Sequence, residues 1–207
     1  MAISTYQELK TLILTWTRIT NIDSVVDDVI DMCESQIFGN ESEGLLVREL
    51  ETRATAVTST SNRFVELPVR FLKMRRLNIT TTNVSEVYQK APGALVIQTG
   101  SARPTYFSAA SQIEFDIQPD SAYDLEMLYF KRTTALSDTD TTNTVLTNYP
   151  DIYLQGCLWW AYDFSGEEIK AAERQKAFYA AIRGANKKDV KGRHGPGPVQ
   201  ATDRSTP

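Results

Sequence analysis

The residues of this chain that could do chemistry are few and poorly placed for it. The one histidine, His194, falls in the run Lys191-Gly-Arg-His-Gly-Pro-Gly-Pro, where nothing nearby in sequence would hold or orient an imidazole. A Ser-His or Cys-His nucleophile pair therefore has no base. Zinc needs clustered Cys and His ligands, and one His with two Cys does not supply them. The ten glycines are scattered and form no phosphate-cradling loop. Asp138-Thr-Asp140-Thr-Thr-Asn143 opens like a calcium loop, but its sixth position is Asn143 instead of Gly and its twelfth is Tyr149 instead of Glu, so it reads as a polar linker. Cys33 and Cys157 lie on apolar helical faces and read as small buried hydrophobes in a reducing compartment. No pair of carboxylates stands out by spacing for acid/base work. The expectation is a protein without enzymatic activity, metal or cofactor.

Two other groups of residues point to contacts instead of catalysis. Trp159, Trp160, Tyr162, Phe178 and Tyr179 could be read as a base-stacking platform. They stand at helical spacing without interleaved cations, so together with Ile182 they are assigned to helix packing or a subunit interface. The second group is basic. From Arg183 to Pro207 there are six Lys/Arg against Asp189 and Asp203, which makes the end of the chain about +4 within a net charge of −4. Arg183, Lys187, Lys188, Lys191 and Arg193 are the candidate docking cations, and the rest of the chain reads as an acidic body, unlike the basic face of a general nucleic-acid binder.

The elements that must position these groups follow from periodicity. Ser4 with Gln7 predicts a capping box, followed by Leu9, Leu12, Ile13 and Trp16 on one helical face. A second helix is predicted from Asp23 to about Gly39, burying Val26, Val29, Ile30, Cys33 and Ile37, with Asp27, Asp28, Asp31 and Glu34 on its solvated side. From Leu45 the pattern changes to strands: Leu46–Val57, Arg63–Leu67, Met74–Thr80, Val84–Gln89, Leu95–Thr99, Thr105–Phe107, Ile113–Ile117 and Tyr123–Lys131, punctuated by Pro and Gly. Helices return at Tyr149-Pro150-Asp151. That helix is apolar nearly all round, so neighbours must bury it. Gly156 in its interior marks a close helix crossing. Ser165 with Glu168 predicts a second capping box, and the last helix runs from about Glu167 to Asp189.

With 42% apolar and 23% charged residues over 207 positions, the chain has the composition of a globular protein with one sizeable core. No run reaches the length of a membrane span, and the N-terminus lacks the regions of a signal peptide. Short helices need tertiary packing, so the helices from both ends are expected to share one bundle. The predicted fold is α+β: a discontinuous helical bundle with an inserted antiparallel β subdomain and an extended C-terminal arm. Its parts are residues 1–42 (N-terminal helices), 45–135 (β meander or small barrel), 143–189 (C-terminal helices) and 190–207 (basic Gly/Pro-rich arm).

The order of landmarks resembles the head-to-tail adaptor proteins of tailed bacteriophages, in particular those of short-tailed phages. These landmarks are Ile22-Asp23 opening the second helix, then Leu67-Pro68-Val69-Arg70-Phe71 and Gly100-Ser-Ala-Arg-Pro104-Thr-Tyr106. Ile113-Glu-Phe115-Asp-Ile-Gln-Pro119 and Leu128-Tyr129-Phe130-Lys131 follow, and Asn143…Leu146…Tyr149-Pro150-Asp151-Ile-Tyr153-Leu-Gln-Gly156 opens the helix pair. The resemblance implies a structural virion protein at the capsid–tail junction, made in the host cytoplasm. It implies a ring, typically of twelve copies, between the portal protein and a downstream tail (nozzle or fibre) protein. Genomic DNA would pass through its lumen for retention and ejection, with no membrane involved. Carried over by position, Arg183, Lys187, Lys188, Lys191 and Arg193 match the portal-docking arm. A β-domain that binds a host-surface ligand or nucleic acid, carried on a helical oligomerisation stem, is the alternative reading.

Overall fold

Helix α4 (Pro150–Phe164) is buried on nearly every side, through Ile152, Tyr153, Leu154, Gly156, Cys157, Leu158, Ala161 and Tyr162. Pro150 suits its first turn, where a missing N–H removes no helical bond. Four elements pack on it: α1 (Tyr6–Thr17), α2 (Val26–Gly39), the one-turn α3 (Thr144–Asn148) and α5 (Glu168–His194). The computed structural model describes residues 3–19, 21–39 and 44–194. The chain divides into two units: a helical one from Met1–Glu49 with Thr134–Pro207, and a β one from Leu50–Thr133. The α+β architecture and the flanking of a β region by helices from both ends are as the periodicity predicted.

Gly156 makes the helix crossing possible. A Cβ built there would collide with Cys33 Sγ on α2 and lie 2.9 Å from Phe178 Cε2 on α5. The absent side chain lets three helices approach one point.

Several local expectations are corrected. Thr5, not Ser4, caps α1: Glu8 N donates to the Thr5 hydroxyl, and the Glu8 carboxylate accepts from Thr5 N, Ser4 N and Ser4 Oγ. The Ser4 donors, reinforced by Thr5, hold the Glu8 carboxyl below its usual range. Between α1 and α2 the chain passes through left-handed Arg18 and Asn21 and a single 3-10 turn, Ile22–Ser24, so α2 starts three residues later than expected. Ser165 does not cap the last helix. Its hydroxyl donates to Tyr162 O at 2.9 Å and closes α4, and Gly166, at φ 75°, turns the chain before α5. Helix α5 runs on to His194, five residues beyond Asp189, so Lys191 and Arg193 are helical. Residues 195–207, the remainder of the predicted arm, lie outside the described residues.

The β unit is one seven-stranded sheet in the order β1-β7-β3-β4-β5-β6-β2. Its strands are β1 (Glu51–Val57), β2 (Phe64–Glu66), β3 (Phe71–Ile79), β4 (Ser85–Gln89), β5 (Tyr106–Ala109), β6 (Gln112–Phe115) and β7 (Asp124–Lys131). Leu77, Ile79, Val87, Phe107, Ile113, Phe115, Leu125 and Met127 fill its core. The sheet is mixed instead of purely antiparallel, because β4 and β5 pair parallel, Tyr88 with Tyr106 and Gln89 with Phe107. A parallel pair needs a crossover, and residues 90–105 provide it.

The stretch Leu95–Thr99, predicted as a strand, belongs to this crossover, with Val96 78% exposed. A buried carboxylate ties the crossover down. Asp116 accepts from Thr105 N and Tyr106 N at 3.1 Å each and from Gln98 Nε2 at 3.2 Å, while its carbonyl receives Gln98 N at 2.7 Å. Residues 46–50, predicted as the start of the first strand, instead form a loop and a 3-10 turn, Arg48–Leu50. Leu45 and Val47 alternate inward there, but Leu46 N donates to the Asn186 side chain, not to a strand.

Candidate functional site

The C-terminal turns of α5 form the charged end of the helical unit. The inward face of α5 repeats at helical spacing through Ala171, Phe178, Ile182, Ala185 and Asp189. Asp189, 6% exposed, breaks this apolar row with a carboxylate that is well supplied with donors. Arg48 Nε lies 2.9 Å and Arg48 N 3.2 Å from Oδ1, and Arg193 Nε lies 2.6 Å from Oδ2. Burial pushes this carboxyl up, but the Arg193 and Arg48 bonds outweigh it and hold the group below its ordinary range. One turn earlier, Asn186 accepts from Leu46 N and donates to Gly44 O, so the segment leaving the first helices is clipped to the end of the last. Tyr149 donates to Glu49 at 3.3 Å, and its phenol is raised first by burial and then by that carboxylate.

The five predicted docking cations do not act as one set. Arg183, Lys187 and Lys191 recur every four residues and form an exposed stripe about 12 Å long, with exposed Lys188 beside it. The three lysines pair with no acid among the described residues. Arg193 lies on the other face, half-buried against Asp189.

The aromatic group lies along the α4–α5 seam. Phe178 and Ile182 are fully buried, Tyr162 is nearly so, and Trp159 and Trp160 are half-buried. Trp159 stacks on Trp160 at 4.8 Å and packs on Phe178 at 5.8 Å and Tyr179 at 6.0 Å. Tyr162 joins Leu154, Leu158 and Ala171 in a cluster that includes Leu12 and Ile19 of the N-terminal segment. The Trp160 indole N–H is buried without an acceptor among the described residues.

A buried polar relay escaped the sequence reading. Glu34, expected on the solvated side of α2, is buried. Its Oε1 accepts from Tyr153 Oη at 2.7 Å and from Leu136 N at 3.0 Å. Tyr153 Oη in turn accepts from Asn143 Nδ2 at 2.7 Å, and Asn143 caps α3 by accepting from Leu146 N. Burial, followed by the Glu34 charge, pushes the Tyr153 phenol well above its ordinary value. This relay fixes where the chain re-enters the helical unit after the β unit. Glu34 follows Val26 and Ile30 at steps of four, on the edge of the buried stripe, where spacing fits burial and solvation equally.

Cys33 and Cys157 are both free and buried. Burial raises the Cys33 thiol, and its neighbour Cys157 raises it further. Among the described residues no three His, Cys, Asp or Glu side chains converge as metal ligands. No helix among them is long and apolar enough to cross a membrane.

What the geometry offers is packing and charge display. A helical unit is knit together from both ends of the chain, and a cationic stripe runs along the end of its longest helix. A search of curated proteins finds no match. The family model described as SU10 adaptor protein matches residues 4–202, nearly the full length, and the chain belongs to that family, consistent with a head-to-tail adaptor of phages.

Proposed function

From membership in the adaptor family, we propose that this chain is a structural component of the virion that joins the portal protein to the tail as a ring, with twelve copies as the working number. Genomic DNA passes through the ring during packaging and ejection. The observation that carries the docking role is the C-terminal end of α5, where Arg183, Lys187, Lys188 and Lys191 are exposed on a helix of 27 residues. Residues 195–207, the rest of the predicted basic arm, are included in this proposed portal contact. Trp159 and Trp160, half-buried on the same unit, flank the packing seam and contribute to contact between copies. A distal tail protein, nozzle or fibre, meets the β unit.

The test is co-expression with the cognate portal and measurement of the complex mass. A discrete adaptor–portal assembly is expected. A triple variant, K187E/K188E/K191E, and a variant ending at His194 should each load the portal at least about tenfold more weakly, since like charges at an interface disfavour docking. Normal loading by both variants would remove the docking role from this end of α5.

The second reading, a β unit that binds a host-surface ligand or nucleic acid on a helical stem, has one observation in its favour. A cleft in the β unit is lined by Lys90, Leu95, Val96, Gln98, Tyr106 and Asp116. DNA binding with a steep salt dependence by the whole chain would favour it.

A further inference from the structure

Two partly exposed faces of this chain complement each other in charge. The first is the outer face of β1, β7 and β3. Antiparallel register places Arg53, Leu128 and Arg76 in one row, Thr55, Glu126 and Asn78 in the next, and Glu51, Phe130 and Lys73 in a third. Cross-strand partners share a face, so these side chains stand on the side opposite the Ala54–Met127–Leu77 core row. Arg75, in the bulge of β3, joins the same face: it pairs with Glu51 at 3.2 Å and covers the Phe130 ring. The face thus carries Arg53, Lys73, Arg75 and Arg76 against Glu51 and Glu126. Lys73 and Arg76 are exposed and pair with no acid among the described residues, and half-buried Leu128 lies between Arg53 and Arg76.

The second is the solvent face of α2. Asp28, Asp31, Met32 and Ser35 fall on one side of that helix, opposite the buried Val26, Val29, Ile30, Cys33 and Ile37. Met32 is 50% exposed, and neither Asp28 nor Asp31 has an ion-pair partner among the described residues. An apolar centre with an acidic rim therefore faces solvent on α2, and on the sheet the half-buried Leu128 lies within an exposed, mainly basic rim, beside the buried Phe130 and Asn78. That is the anatomy of a polar-rimmed interface.

We propose that these two faces meet between neighbouring copies, α2 of one copy lying on the β1–β7–β3 face of the next. The inference rests on the ring reading above and names the surfaces that would hold such a ring together. A contact between two different patches is heterologous, the type that generates closed rings when its rotation closes. A second copy fits the sheet face better than nucleic acid does. Glu51 and Glu126 lie among the cations, where they would repel phosphates, and Leu128 at the centre offers a phosphate backbone nothing. The α2 face supplies Met32 to meet Leu128, and Asp28 and Asp31 to meet Lys73 and Arg76, which pair with no acid among the described residues.

The experiment reverses each face and then both together. K73E/R76E and D28K/D31K should each reduce loading of adaptor copies onto the portal by at least about tenfold, read as bound copies by native mass spectrometry. The fourfold variant, in which both faces are reversed, should recover most of the loss. Circular dichroism and unfolding midpoints of the free variants check that the fold is intact.

Wild-type loading by both reversed variants would overturn the interface while leaving the adaptor reading in place. So would a fourfold variant no better than the worse pair, or a K73E/R76E variant that loads normally but loses affinity for duplex DNA. Failure of the wild-type chain itself to load any portal would overturn the adaptor reading, and this interface with it.

Discussion

Gly156 and Tyr153, three residues apart on α4, hold the helical unit together in different ways. At Gly156 an added methyl meets Cys33 Sγ and the Phe178 ring, neither of which has room to move inside a packed core. Gly156→Ala should therefore destabilise by about 1–3 kcal/mol through overpacking, despite its higher helix propensity. Urea unfolding followed by tryptophan fluorescence will measure it, since Trp16, Trp159 and Trp160 all lie in the helical unit. Tyr153→Phe removes the hydroxyl that donates to Glu34 and accepts from Asn143. Leaving those buried groups short of a partner should lower stability by about 1–3 kcal/mol, read in the same unfolding transition. Tyr153 also has a pH signature. Its folded pKa is raised, so its contribution is complete below the ordinary tyrosine value and is lost as pH rises through the folded one. The wild type should lose stability above about pH 10 faster than Tyr153→Phe does. The glycine was legible in sequence, because a Gly within a strong apolar helical pattern implies close approach. Glu34 was not, because an acid at the border of a helical stripe has the same spacing whether it is solvated or buried against a tyrosine.

For whole elements, the end of α5 makes the sharpest case. A helix expected to stop near Asp189 continues to His194, because Asp189 is held by Arg48 and by Arg193 one turn further on. Asp189→Asn should loosen the last two turns of α5. Amide exchange over residues 186–194 should accelerate about tenfold or more, an opening of roughly 1–2 kcal/mol. The pH sign is opposite to that of Tyr153. The Asp189 pKa is depressed in the fold, so its stabilisation is present above the ordinary carboxylate value and lost as pH falls through the folded one. The wild-type and Asp189→Asn exchange rates should converge at strongly acidic pH.

In the β unit, Asp116 is the corresponding brace. Asp116→Ala frees the Thr105 and Tyr106 N–H groups and the Gln98 side chain, so exchange over residues 98–106 should rise while the tryptophan-monitored transition stays in place. The strand positions were legible from alternation and turn residues. The parallel β4–β5 pairing was not, since the order of strands in a sheet leaves no local pattern. The apolar run Leu95–Thr99 looks like a strand, yet it forms no ladder among the described residues, only the single backbone bond from Gln98 N to Asp116 O.

Charge belongs to the whole molecule, and the structure redistributes it. Leu50–Thr133 carries ten Lys/Arg against eight Asp/Glu, which leaves twelve against eighteen for the remainder. The acidic body read from the sequence is thus an acidic helical unit, and the β unit is mildly basic. In the proposed ring, attraction between unlike units of neighbouring copies would be screened by salt. Portal loading of the wild type should therefore fall between low and high ionic strength, and the variant with both faces reversed should follow the same slope.

By itself the sequence determined the α+β class, the return of the chain's end to a helical unit begun by its start, and the glycine crossing. These rest on residue type and on periods of two and 3.6, which are local properties of the chain. The tertiary structure alone decided the sheet order, the Glu34–Tyr153–Asn143 relay and the division of the C-terminal cations into an exposed stripe and a buried clasp. It also decided that Lys73 and Arg76 on the sheet, and Asp28 and Asp31 on α2, are exposed. Each of these depends on which residues distant in sequence become neighbours, and only the packing of the whole chain determines that.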